Sequence, residues 1–386
     1  MKSMITIGKK EEKKVNENKI KKNRVDIKLL TLLLIILSLG TLMVFSASYP
    51  YANSHYNDSL YYIKRQIIFL LIGLFVMYIL SRVPVGLYKK IAPVIYSICI
   101  ILLIIVLFGG FSEGVAKRWL GIPGTPLSFQ PSELMKLGII IMLSWYIDKF
   151  SEKKKTIINE IVLPGLILFG ACALVLLEKH LSGTIILALI GISILFIAGT
   201  SIKRMGLIYG TTAIAGGAVF LLTNSYAMKR IESFLNPNAD VLSDKWQTTQ
   251  GLYAIGSGGV WGLGYLNSRQ KYSYVSEPQN DFIFTIWCEE TGFVGGVILV
   301  SLFLLLVWRG YKIAFSATDM FSSLVAFGIT SQIGIQSFLN MLVVSDMIPN
   351  TGISLPFFSY GGSSLVFLLA EMGILLSISR NARQIN

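Results

Sequence analysis

Few side chains in this sequence are ionisable, and those that interrupt apolar runs are the ones whose presence needs a chemical reason. Asp281 ends the polar stretch of S-E-P-Q-N-D-F-I-F-T-I-W-C-E-E (276–290), where hydrocarbon-like sequence takes over. A carboxylate at such a border is partly desolvated, which raises its pKa and makes its anion a better general base. The same position suits a helix N-cap, and the two roles are compatible. Glu289 and Glu290 follow about two turns deeper. At about 100° per residue, Glu289 lies roughly 80° round from Asp281 and Glu290 roughly 180°, so both cannot share its face. An ionisable group at that depth costs about 2.5–3.5 kcal/mol on insertion scales, so at least one is expected to face a polar cavity or a cation. Glu371, inside a later apolar run, raises the same question.

Candidate cations are Arg118, Lys136 and Arg230. Arg118 follows Lys117 and precedes Trp119, a pattern that fits either phosphate binding or an interfacial anchor. Pro131-Ser132-Glu133 reads as a helix start with Ser132 as N-cap, and Glu133 and Lys136, three apart, share a face and can neutralise each other. Glu178 in E-K-H-L-S-G-T (178–184) is either a surface carboxylate or part of a polar cavity. In D-M-I-P-N-T-G-I-S-L-P-F-F-S-Y-G-G-S-S (346–364), Pro and Gly force turns that lay Ser359, Gly361 and Gly362 against the mouth of a bundle. His55 and His180 are too far apart to suggest a motif, and Cys99, Cys172 and Cys288 show no metal-ligand spacing.

The elements that must hold these residues are membrane helices. Hydrophobic residues make up 53% of the 386, charged residues 14%, and mean hydropathy is +0.65; soluble proteins carry about 25% charged residues. The predicted fold is all-α and polytopic, with about ten spans near 29–47, 63–80, 91–108, 133–147, 161–177, 183–199, 205–223, 282–307, 321–343 and 363–378. Residues 1–28 read as a disordered basic tail, 29–380 as one membrane domain, and 381–386 as a second tail. Gly206, Gly210, Gly216 and Gly217 in the seventh span are expected to allow close helix packing. No cleavable signal peptide and no internal repeat is expected.

The net charge of +13 is arranged by side, which argues against nucleic acid as its partner. Ten of the 34 Lys and Arg fall in 1–28, and thirteen more fall in alternate short connections: Arg82, Lys89, Lys90; Lys149, Lys153, Lys154, Lys155; Lys203, Arg204; Arg309, Lys312; Arg380, Arg383. With ten spans these lie on one side, the cytoplasmic one by the positive-inside bias, which puts both termini there and the long 224–281 loop outside. Three polar outer inserts then converge above one bundle, an inventory suited to an amphiphile with its head group in water and its tail in lipid.

At this point the ordered motifs resemble the SEDS family (shape, elongation, division and sporulation), typified by FtsW, RodA and SpoVE. The resemblance runs from Met43 onward, on M-V-F-S-A-S, K-R-W-L…F-Q-P-S-E-L-M-K, E-x-H-L-S-G-T, F-L-N-P…W-Q…Q…A-I-G-S-G-G, E-P-Q-N-D-F-I-F…E-E-x-G and G-I-S-L-P-F-F-S-Y-G-G-S-S. It implies an inverting glycosyltransferase that polymerises lipid II on the outer face of the bacterial cytoplasmic membrane and releases undecaprenyl pyrophosphate. Its implied partners are a single-span class B penicillin-binding transpeptidase and other division or sporulation wall proteins. The family's essential acid falls on Asp281, and Arg118, Glu133 and Lys136 fall on positions linked to its polar cavity. Phe234 to Pro237 resembles the FtsW and SpoVE branch, while Lys179, Asn350 and Ser354 depart from common family residues. A divalent cation, Mg or Mn, is a candidate at the pyrophosphate. A lipid II flippase and a non-catalytic division scaffold stand as alternatives.

Overall fold

The computed structural model describes residues 25–112, 117–122, 128–150, 156–223, 228, 232–235 and 245–382. Its helices are α1 (Ile27–Tyr56), α2 (Tyr61–Leu80), α3 (Val85–Gly109), α4 (Pro131–Lys149), α5 (Leu163–Leu177, entered through a π turn at Ile158–Val162), α6 (Leu181–Ile197), α7 (Ile202–Thr223), α8 (Trp246–Ser257), α9 (Ile283–Ser316), α10 (Met320–Val344) and α11 (Ser363–Asn381). Each expected span is met by a helix, and α8 is an addition inside the long loop. Among the described residues, seven helices are long and apolar enough to cross a membrane by length and composition, counting the π turn with α5. In lipid a backbone can satisfy its own N–H and C=O groups only by winding into a helix, which is why continuous apolar sequence has this outcome here.

α4, α10 and α11 form the centre. α10 packs against α9, α4 and α6, while α11 packs against α2 and α10. The polar residues of α10 sit inside this packing: Gln332, Gln336 and Asn340, four apart, form one buried stripe. A short three-stranded sheet, β1 (Phe111–Ser112), β2 (Lys117–Gly121) and β3 (Ser128–Phe129), caps α3 and α4 at one end.

α7 departs from expectation. A Cβ added at Gly206, Gly210, Gly216 or Gly217 would meet nothing within 4 Å, so these glycines do not mediate close packing. α7 lies at the periphery, with Leu207 and Ile214 exposed, and is tied near its start by the Tyr209 hydroxyl donating to the Ile161 carbonyl and by Arg204 pairing with Glu160.

α9 is broken. Gly292 has φ 70 and ψ −168 inside it, a conformation that glycine alone adopts freely. The break frees backbone groups, and the glycine-rich segment after α8 takes them up. Leu263 and Gly264 N–H donate to the Glu289 and Glu290 carbonyls, while Phe293 and Val294 N–H donate to the Gly259 and Val260 carbonyls. The approach is too close for side chains: a Cβ on Gly258 would sit 2.1 Å from the Cys288 carbonyl oxygen, and one on Gly262 2.2 Å from that of Glu290.

Candidate active site at the mouth of the bundle

Asp281 immediately precedes Phe282, the N-cap position of α9. It is half-buried, and its backbone is fixed by α10: Asn340 Nδ2 donates to the Asp281 carbonyl at 2.8 Å and to the Ile353 carbonyl at 2.6 Å. One amide thus ties together the helix stripe, the acidic loop and the 346–362 loop. Gly352, at φ 69, lets that loop pass the carboxylate, since a Cβ there would lie 3.2 Å from Asp281 Oδ2.

One turn deeper, Gln336 Nε2 donates to the Ser354 carbonyl at 3.1 Å, and Gln336 Oε1 accepts from Lys136 Nζ at 3.0 Å. Lys136 is almost wholly buried and pairs with Glu133 at 2.8 Å. The Asp281 backbone and Lys136, 145 positions apart by their numbers, are therefore joined through Asn340, the Ile353–Ser354 backbone and Gln336. Another turn down, Gln332 Nε2 donates to both oxygens of the fully buried Glu371, at 3.0 and 2.9 Å. The α10 stripe was not singled out in the sequence, although its four-residue spacing in an apolar run was the available signal.

The α5–α6 turn supplies the opposite wall. Arg118, from β2, donates to the Glu178 carbonyl at 3.5 Å and to the Lys179 carbonyl, clamping the helix end instead of standing as an interfacial anchor. Glu178 is buried with neither carboxylate oxygen hydrogen-bonded among the described residues. Burial lifts its pKa to about 8 against the pull of Arg118, so the acid form prevails at neutral pH. His180, dismissed by sequence spacing, is buried beside it. Gln130 Nε2 at 3.1 Å and the Ser132 hydroxyl at 3.2 Å meet its Nδ1, which as their acceptor leaves the proton on Nε2. Burial, then the charges of Arg118 and Lys136, pull its pKa down to about 3, so it is neutral. Ser132 is not the α4 N-cap; Gln130 holds that position, with Pro131 next, and the serine hydroxyl serves His180.

Other expected contacts have structural partners. Glu289 accepts from the Ser268 hydroxyl and, at 2.9 Å, from Arg269 N–H, so its carboxylate holds a loop turn and is set apart from the Asp281–Lys136 group. Glu290 pairs with Lys271 at 2.8 Å and accepts from the Ser46 hydroxyl at 2.6 Å, all of them buried. Ser359 Oγ accepts from Leu355 N–H at 2.8 Å, closing a turn, and Gly361 and Gly362 launch α11, the latter at φ 43. Arg230 lies outside the described residues.

Known proteins share this arrangement of sequence and fold. Residues 27–384 match the family model FtsW/RodA/SpoVE, described as cell cycle protein. Stage V sporulation protein E of Bacillus subtilis (strain 168) is 39% identical over 368 residues, covering 94% of this chain and 99% of that one. A probable peptidoglycan glycosyltransferase FtsW of Geobacter sp. (strain M18) is 36% identical, covering 93% and 97%. Among solved structures, a chain of a peptidoglycan synthase complex that coordinates polymerization and crosslinking aligns with TM-score 0.77 at 26% identity, covering 93% and 98%. The rod shape determining protein RodA of Thermus thermophilus aligns with TM-score 0.70 at 27% identity, covering 94% and 99%. On this match across nearly its whole length, the chain belongs to the FtsW/RodA/SpoVE family of polytopic membrane proteins.

Proposed function

We propose that this chain polymerises peptidoglycan, joining lipid II units on the outer face of the cytoplasmic membrane and releasing undecaprenyl pyrophosphate. The observation that carries this reading is the link from the Asp281 backbone through Asn340, the Ile353–Ser354 backbone and Gln336 to buried Lys136: a carboxylate at the water edge and a cation inside, held in one frame. Its relatives include proteins named peptidoglycan glycosyltransferases.

In this reading ionised Asp281 accepts the proton from the 4-hydroxyl of the acceptor's GlcNAc. That oxygen attacks C1 of the donor's MurNAc, the C1–O bond to phosphate breaks, and its electron pair leaves on the lipid pyrophosphate. A single displacement inverts the anomeric carbon. The charge developing on pyrophosphate is met by Lys136, with Glu178 in its acid form as a neutral donor. Among the described residues no three His, Cys, Asp or Glu side chains stand together to hold a metal. A magnesium or manganese ion, if bound at the pyrophosphate, would supply further positive charge to the leaving group. The proposed partner is a single-span class B penicillin-binding protein, in line with the synthase complex to which the fold is similar.

The test is polymerisation of lipid II by the purified protein with its transpeptidase, comparing wild type with Asp281→Asn. Loss of a general base removes about 10²–10⁴-fold in rate. Equal strand synthesis by both proteins would remove Asp281 from the chemistry, and no synthesis by either, with the transpeptidase bound, would remove the polymerase.

A further inference from the structure

Between α1 and α2 the sequence Y-P-Y-A-N-S-H-Y-N-D-S-L-Y-Y (49–62) holds five of the chain's 17 tyrosines and one of its two histidines. α1 ends at Tyr56, Asn57 turns the chain at φ 52, and α2 begins at Tyr61, so the rings are folded back onto one another. Tyr56 stacks on Tyr61 with ring centres 3.8 Å apart and planes within 5°, and the Arg65 guanidinium lies 4.2 Å from the Tyr61 ring centre. Tyr51 stacks on His55 at 4.0 Å. Tyr62 meets Tyr360 edge to face at 4.9 Å, and Tyr360 N–H donates to the Gln279 carbonyl at 2.9 Å, two residues from Asp281. On the other flank Tyr49 meets Tyr272 edge to face, hydroxyl against hydroxyl. Tyr56, Tyr272 and Tyr274 remain about half exposed, at 47, 51 and 50%.

We propose that these rings form a saccharide-binding strip that holds the glycan strand beside Asp281; the proposal rests on the polymerase reading above. A pyranose ring has C–H faces that pack on an aromatic ring and equatorial hydroxyls that need polar partners at its edge. Tyrosine supplies both in one rigid side chain. Here the outer ring of the Tyr56–Tyr61 stack is exposed, and Asn53, Ser54, His55 and Asn57 lie around it on the exposed turn. The Arg65 guanidinium adds positive charge next to it, suited to the carboxylates of a peptide-bearing strand, while Lys64 pairs with Asp58 at 2.8 Å. Tyrosines that merely anchor helices at the head-group level need only an apolar ring in lipid and a hydroxyl in water. That role does not account for a stacked Tyr56–Tyr61 pair with buried Tyr62 edge-on behind both rings and continued by Tyr360 to the segment that carries Asp281.

The experiment uses the full chain in nanodiscs, in the Asp281→Asn background, with a soluble, lipid-free tetrasaccharide of alternating GlcNAc and MurNAc as probe. Tyr56→Ala with Tyr61→Ala is expected to weaken its binding by about tenfold, which corresponds to about 1.4 kcal/mol. The Phe pair should retain most of it. Melting temperatures of the variants report folding, and the Phe pair, with its packing kept, covers a failure of the Ala pair to fold. In the active protein, the Ala pair is expected to make shorter strands. Equal affinity in parent, Ala and Phe proteins, no affinity in the parent, or tyrosine-dependent binding that plain lipid nanodisc surface abolishes would each overturn the strip. Tyrosine-dependent binding by a protein that makes no strands would leave the strip standing and sink the polymerase. Strand synthesis without tyrosine-dependent binding would do the reverse.

Discussion

Burial holds the Glu178 carboxyl at about 8, from an ordinary value of 4.5, and Arg118 pulls it back only in part. A carboxyl whose pKa is raised on folding gives a contribution that is complete below pH 4.5 and is lost as the pH climbs through about 8. Glu178→Gln, neutral at every pH, is therefore expected to match wild type in melting temperature at pH 4 and to exceed it at pH 9. A wild-type protein that loses nothing relative to the variant between pH 4 and pH 9 would show that the carboxylate finds a partner when it ionises. Glu178 was legible as a carboxylate at a turn, but not its state, because burial and the position of Arg118 are set by β2 and α4, remote in sequence. His180 shows the same gap: two residues from Glu178, it carries no metal or triad spacing, and its partners Gln130 and Ser132 come from the start of another helix.

Between residue and molecule stands the break in α9. The cost of carrying Glu289 and Glu290 into an apolar run was readable from composition, and so was the demand for a polar or cationic partner. That the partner of Glu290 is Lys271 was not, because the pairing depends on the glycine-rich segment lying against the break at Gly292. The result is one bonded unit: α8, the 258–271 segment and the first turns of α9 are joined to one another, and Ser46 ties them to α1. Removing one partner of a buried pair leaves an uncompensated charge and costs about 3–5 kcal/mol. Lys271→Met should lower the melting temperature of the purified protein sharply and depress strand synthesis with it. Adding Glu290→Gln should recover most of the loss, because the lone charge is then gone. A double variant no more stable than Lys271→Met would mean that the lysine acts through packing and not through its charge.

At the scale of the molecule, the two ends of the bundle are chemically different. At one end Asp26 pairs with Arg309 at 2.8 Å and its N–H donates to Ser379 Oγ, Ser377 Oγ donates to the Val83 carbonyl, and Lys89 pairs with Asp148 at 2.5 Å. These groups join the start of α1 to the ends of α9 and α11 and to the α2–α3 and α4–α5 connections, the places where the sequence concentrates Lys and Arg. At the other end stand Asp281, Tyr360, the α1–α2 turn and the α5–α6 turn. The helices of the ten expected spans were legible because hydropathy acts along the chain; convergence of the opposite loops was expected, but the amides that fasten them, Asn340 and Gln336, were not. Sidedness can be read by labelling, since Cys99, Cys172 and Cys288 are all buried and should give little background with a membrane-impermeant maleimide. Asn57→Cys, in the exposed α1–α2 turn, is expected to react in intact cells, whereas Thr318→Cys, exposed between α9 and α10, is expected to react only after permeabilisation. The reverse pattern would turn the bundle over and put Asp281 in the cytoplasm, where the proposed chemistry on an outward-facing lipid head group could not occur. Labelling of both positions in intact cells would instead break the parity of the spans between them and require one helix from α2 to α9 to lie along the membrane instead of across it.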